Sequence, residues 1–97
     1  MRLRRPLLTL IWLPNTLQQP RLGLTIAKKS LKASVQRNRL KRLIREYFRT
    51  HQQSLPHGDL VFIGQTGLAR APQSEWKAAI DELCRDLIRR CAPSSSP

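Results

Sequence analysis

Hydrophobic positions fall into five blocks along the chain, and the spacing changes from block to block. Leu7–Leu13 is a continuous apolar run rich in β-formers that stops at Pro14-Asn15, the pattern of a buried strand and a turn. After Pro20, Leu22, Leu24 and Ile26 alternate with Gly23, Thr25 and Ala27, which predicts a strand with one greasy face and one face of small residues. That small face suits either a platform for something laid across it or close packing against a helix. Leu40, Leu43, Ile44, Tyr47 and Phe48 then recur at offsets of three and four, the mark of a helix with one buried stripe. Ser34 is its expected N-cap, and it ends near His51–Leu55, ahead of Pro56 and Gly58.

In "DLVFIG", residues 59–64, the apolar positions do not alternate, so this block reads as a strand buried on both faces. Gly64–Pro72 is expected to be a loop. A last helix starts near Ser74, with Trp76, Ala79, Ile80, Leu83, Cys84, Leu87, Ile88 and Cys91 as its core stripe. Strand, strand, helix, strand, helix predicts an α+β class: a small β-sheet packed with helices. Residues 1–92 are expected to form a single domain and residues 93–97 a disordered tail.

Charge changes the picture from a generic small domain to one with a polyanionic partner. Eighteen Lys and Arg face six Asp and Glu in 97 residues, a net charge of +12. Such self-repulsion points to nucleic acid first and a membrane surface second. The opening "MRLRRPLLTLIWLPN" imitates a signal peptide, but its apolar run is short and no small-x-small cleavage site follows. A strand explains it better, and no segment has the roughly 18 apolar residues of a membrane span.

The charge is concentrated. Lys28 to Arg49 holds nine basic residues, Lys28, Lys29, Lys32, Arg37, Arg39, Lys41, Arg42, Arg45 and Arg49, against the single acid Glu46. At about 100° per residue, Asn38, Arg42, Arg45 and Arg49 line up opposite the apolar stripe, flanked by Lys41, with Arg37 and Arg39 at the N-terminal end. An ordinary solvated helix face would be held by pairs such as Arg42–Glu46, worth about 0.3–0.5 kcal/mol each. One carboxylate cannot balance that many neighbours, so the repulsion makes sense when phosphates complete the surface. A single helix between strands, with Asn38 as the only amide at the centre of its stripe, fits RNA better than a DNA-reading helix-turn-helix. Guanidinium clusters match closely spaced RNA phosphates with bidentate contacts.

Catalysis by the chain itself lacks the residues. Asp59, Glu75, Asp81, Glu82 and Asp86 are scattered, the last four on or beside the solvent side of the final helix, and His51 and His57 sit at a helix end and in a loop. Cys84 and Cys91, about 10 Å apart along a helix, cannot bond each other and read as core thiols of a reducing cytoplasm. With two cysteines and no finger-like histidine spacing, a zinc site is not expected.

The run "RNRLKRLIRE", Arg37-Asn38-Arg39-Leu40-Lys41-Arg42 with Arg45-Glu46 and Phe48-Arg49 after it, resembles the signature of the bacterial ribonuclease P protein component. "PRLGLTIAKKS" is similar to the family's Arg-Leu-Gly strand and Lys-Lys segment, "DLVFIGQTGLA" to its next strand and Gly-containing loop, and Ser74–Cys91 to its last helix. The resemblance covers residues 6–91. It implies a fold like the second domain of ribosomal protein S5, with a left-handed βαβ crossover. It implies a subunit that binds a catalytic RNA and precursor tRNA and assists removal of the 5′ leader, the chemistry lying in the RNA with Mg2+ and no cofactor held by the protein alone. Carried over, Arg37, Asn38, Arg39, Lys41, Arg42 and Arg45 become catalytic-RNA contacts, and Lys28 and Lys29 belong to the same basic region, while Glu46 orients neighbouring arginines. Lys32 and Arg49 join the RNA-binding set by position.

The family usually begins with a helix bearing paired aromatics that walls the leader cleft, whereas this sequence starts almost directly at a strand. Translation from an upstream start or a shortened form is the expectation, and Trp12 is read as a core tryptophan rather than a substitute wall. Two other readings use the same helix: a non-enzymatic structural RNA-binding protein of ribosomal type, and a membrane-active basic amphipathic helix.

Overall fold

In a computed structural model the chain is described over residues 1–91. The elements are β1 (Arg2–Arg4), β2 (Leu8–Leu13), β3 (Pro20–Thr25), α1 (Ser34–His51), β4 (Gly58–Gly64), a 3-10 turn (Thr66–Arg70) and α2 (Ser74–Cys91). They build a four-stranded sheet in the order β1-β2-β4-β3. β1 and β4 run antiparallel to β2, while β3 runs parallel to β4. A parallel pair cannot be joined by a tight turn, so the β3–β4 connection crosses over, and α1 is that crossover.

Cross-strand register sorts the side chains onto two faces. Leu3, Leu8, Leu10, Trp12, Leu22, Leu24, Leu60 and Phe62 share one face. There they meet Leu40 and Ile44 of α1 and Trp76, Ile80, Leu83, Cys84 and Leu87 of α2 in one core. α1 lies over β3, α2 over β2, and the helices touch each other. Both helices are therefore on the same side, and the second face carries none.

This placement revises several sequence expectations. β4 alternates in burial after all: Leu60 and Phe62 are fully buried, while Val61 and Ile63 on the second face are half-buried. The run is uniformly apolar because both faces are greasy, not because both are covered. Gly23 and Thr25 lie on the helix-free face, so packing against a helix is not why that side of β3 is small. The Arg-rich opening contains an edge strand, β1, too short to register as a block. Ser34 is the first residue of α1, and the N-cap position belongs to Ala33, whose side chain makes no capping bond. The expected loop after β4 contains the 3-10 turn, with Leu68 buried in the core. The tail assignment for residues 93–97 falls outside the described residues.

Trp12 sits on the core face opposite Leu60, as a core tryptophan should. Its indole packs against Gly58, where φ is +151° and a Cβ would stand 2.4 Å from Trp12 Nε1 and 2.6 Å from the Leu13 carbonyl. Only glycine combines that backbone with that contact.

The N-terminal segment is tied to the last helix by charge. Arg5 donates from Nε to Glu82 (2.9 Å) and from Nη2 to Asp86 (2.8 Å), and Asp86 also accepts from Arg89 and Arg90. Asp86 was expected beside solvent, yet it is only 5% exposed, because three guanidiniums enclose it. Hydrogen bonding from Arg90, reinforced by Arg89 and Arg5 against the opposing cost of burial, lowers its pKa from 3.8 to about 2. A folded-state pKa below the unfolded one contributes stability that is fully present above about pH 4 and is lost as pH falls toward 2. Asp86→Asn removes this contribution. The gap in melting temperature between the native chain and Asp86→Asn is therefore expected to be widest near neutral pH and to close across that acid window; a gap independent of pH would show that the cluster contributes by shape alone.

Candidate nucleic-acid interface

α1 divides its circumference between core and charge. Leu40 and Ile44 are fully buried, and Leu43, Tyr47 and Phe48 pack half-buried beside them. Asn38, Arg42, Arg45 and Arg49 are exposed on the opposite side, where they line one shallow groove with Glu46. The apolar stripe is spent on the sheet, so this helix has no greasy side to offer a bilayer. No helix among the described residues is long and apolar enough to cross a membrane.

Glu46 pairs with Arg49 through both carboxylate oxygens, not with Arg42. The pairing lowers the Glu46 pKa, and both partners stay at the surface. Arg42 and Arg45 make no ion pair among the described residues, so the charge expected to be uncompensated is uncompensated. Arg39 is exposed and reaches Gln73 Oε1 at 3.0 Å, on the flank facing the start of α2. Lys41 is half-buried on the opposite flank, in line with Phe48 two turns further along the helix.

Lys28, Lys29 and Lys32 are all exposed on the β3–α1 connection. That connection is nonetheless pinned. Ile26 and Leu31 are buried beneath it, Ser30 Oγ donates to the Gly64 carbonyl at 3.0 Å, and the Ser30 and Leu31 amides close a turn on the Ala27 carbonyl. Arg37 completes the anchorage: its Nη1 donates to the carbonyls of Leu31 (2.8 Å) and Lys32 (2.7 Å). Of the ten basic and amide positions singled out in the sequence, Arg37 is thus the one with a plain structural task. It holds the lysine-bearing loop against the first turn of α1.

Elsewhere the ionisable groups serve packing. Tyr47 donates to Asp81 at 3.0 Å and stacks on His51 with centroids 3.8 Å apart; burial first, then that bond, raises its pKa. Burial, followed by the nearby Asp81 charge, pushes the Cys84 thiol up to about 12, far from a reactive thiolate. Among the described residues no three His, Cys, Asp or Glu side chains come together as metal ligands.

The helix-free face of the sheet holds residues that the sequence reading passed over. Arg2 and Arg4 stand opposite Ile11 and Thr9, Ile11 and Thr9 opposite Val61 and Ile63, and these opposite Gly23 and Thr25. Arg21 lies on the same face and pairs with Asp59 at 3.5 Å. The alternation Arg2-Leu3-Arg4 was the available signal, but three residues are too few to distinguish a strand from a basic N-terminus.

Sheet, crossover helix and charge define a small α+β domain with a strongly basic exposed surface. The family model described as Ribonuclease P matches residues 1–88. A ribonuclease P protein component from Pseudoalteromonas atlantica is 45% identical over 89 residues, 92% of this chain and 74% of that protein. The chain belongs to the ribonuclease P protein component family, whose members work with an RNA subunit in tRNA processing. Among solved structures, the Thermotoga maritima RNase P protein bound to 1-(4-fluorophenyl)-2-thiourea is 28% identical with a TM-score of 0.76, over 92% of this chain and 84% of that one. The Staphylococcus aureus RNase P protein shares the fold at a TM-score of 0.80 and 21% identity, over 89% of this chain and 79% of that one.

Arg37→Ala is expected to cost about 1–3 kcal/mol in denaturant unfolding, the worth of charge-assisted bonds to two carbonyls. Arg42→Ala should leave the unfolding midpoint where it is. Equal midpoints for the two variants would mean that the loop does not depend on the Arg37 guanidinium.

Proposed function

We propose that this chain is the protein subunit of a ribonuclease P, binding the catalytic RNA and precursor tRNA and assisting endonucleolytic removal of the 5′ leader. The observation that carries this reading is the exposed arginine groove of α1, in which Arg42 and Arg45 make no ion pair among the described residues, within a chain of this family. In it, Asn38, Arg39, Lys41, Arg42, Arg45 and Arg49 meet the catalytic RNA, with Lys28, Lys29 and Lys32 extending the surface along the pinned loop. Arg37 contributes a contact through the donors it does not spend on the loop. The outward side of α1 is polar apart from Val35 in its first turn, which suits the phosphates of folded RNA. The helix-free sheet face, with an apolar centre, suits the single-stranded leader. Family membership argues against a ribosomal-type structural role for the same helix.

The protein supplies binding and orientation rather than a nucleophile or a base. Its described acids are paired with arginines, hydrogen-bonded or dispersed over the surface, and they do not gather into a magnesium site. In this reading Mg2+ works with the RNA subunit. Unpaired thiols and a part in tRNA maturation fit the cytoplasm.

Single-turnover cleavage of a precursor tRNA by the cognate catalytic RNA at low magnesium should be faster with the chain than without it. Binding to the RNA with no gain in rate would overturn the assisting role. Affinity for the catalytic RNA is expected to fall by about 10³-fold or more between 50 and 200 mM salt if six to eight phosphates are neutralised, and a flat response would exclude the arginine groove as the contact. Arg42→Ala should weaken that binding by about 1–3 kcal/mol.

A further inference from the structure

We infer that Arg2 and Arg4, on the edge strand β1, grip the phosphates of the precursor's single-stranded leader as it crosses the helix-free face of the sheet. The inference rests on the reading above that the leader lies on this face, and it assigns residues that neither the signature motif nor the basic helix contains.

Register is the first argument. Two cross-strand rows run across all four strands of the face, Arg4–Thr9–Ile63–Thr25 and Arg2–Ile11–Val61–Gly23. Each begins with an exposed arginine at the β1 edge and ends on a small residue of β3; between them lie the buried Thr9 and half-buried Ile63 in the first row, and half-buried Ile11 and Val61 in the second. At Gly23 the nearest atom to an added Cβ would be Val61 Cγ2 at 3.5 Å, an ordinary contact, so that end of the row is low and unobstructed.

Charge is the second argument. Asp59 is the one acid on this face, and it is engaged by Arg21 at 3.5 Å and by Asn15 at 2.9 Å. Arg5, next in sequence, is consumed by Glu82 and Asp86 on the helix side. Arg2 and Arg4 make no ion pair among the described residues and stand about 7 Å apart along the strand, two residues at about 3.4 Å each. Extended single-stranded RNA offers its phosphates in such a file, with bases free to lie on an apolar surface beside them. A duplex offers phosphates without free bases and would leave Ile11, Val61 and Ile63 unused. The clamp of Arg5 on α2 holds β1 in place, so the two guanidiniums are presented from a fixed edge rather than from a loose terminus.

The test uses the holoenzyme assembled from the chain and its cognate RNA. Its affinity is measured for a precursor tRNA made uncleavable by a 2′-deoxy substitution at the scissile nucleotide, and for mature tRNA. Arg2→Ala/Arg4→Ala should weaken precursor binding about fivefold or more while mature tRNA stays within about twofold, and the log–log salt slope for the precursor should drop by about 1.4 for two single-strand phosphate contacts. Arg2→Lys/Arg4→Lys should recover much of the loss, and Lys77→Ala, which removes a charge from the other side of the molecule, should change neither affinity. A loss shared equally by precursor and mature tRNA, or no loss at all, would overturn the assignment while leaving the leader on the sheet. If the native holoenzyme itself binds precursor no better than mature tRNA, the leader reading of the face falls, and this inference falls with it.

Discussion

Two helices can cover one face of a four-stranded sheet, and here they do so side by side, meeting β2 and β3 from the same side. Most of the rest follows from that geometry. Leu10, Leu60 and Phe62 disappear beneath Leu40, Ile44, Ile80 and Leu83, which leaves the outward side of α1 and the reverse of the sheet as two separate exposed surfaces. One is mostly polar and curved around a helix; the other is flatter, with an aliphatic centre and basic margins. A single small core thus supports two surfaces of different chemistry facing different ways, as a protein placed between two RNA elements would need.

Position and charge are supplied by different residues. The guanidiniums of Arg42 and Arg45 have no protein partner among the described residues, whereas those of Arg5 and Arg37 are engaged in holding backbone and helix in place. Arginine thus serves both purposes in this chain, and only geometry separates them. Arg37 lies between Asn38 and the loop lysines in sequence, yet its Nη1 is turned inward to carbonyls that would otherwise lack a donor.

The helices and β3 were legible because each carries a period that burial enforces: three and four for Leu40, Ile44 and Tyr47, two for Leu22, Leu24 and Ile26; β2 and β4 were legible as short unbroken apolar runs bounded by turn residues. The charged side of α1 was legible for the same reason, since whatever is not on the stripe must face out. What the pattern could not convey was which sheet face the helices would choose. β4 reads as apolar throughout, so Val61 and Ile63 look as buried as Leu60 and Phe62 until the register places them opposite Ile11 and Thr9. The three-residue strand β1 was hidden by its brevity, and the burial of Asp86 by its partner Arg5, 81 positions away. A contact across that distance leaves no local trace. The ribonuclease P signature was readable because it is contiguous, but it names the helix and says nothing of the opposite face.

The strand order has one more consequence, which concerns the newborn chain. β3 touches no strand but β4, and β2 finds its main partner in β4 as well, so the sheet has a gap at its centre until Gly58–Gly64 has been made. α1, which precedes β4, leaves the ribosome before the surface that will bury Leu40 and Ile44 exists, and α2, which seals the core and receives Arg5, comes last. Synthesis proceeds from the N-terminus, and long-range pairing must wait for its second half. The most basic segment of the protein therefore emerges before the strand that completes its sheet, and the core closes only when α2 has been made.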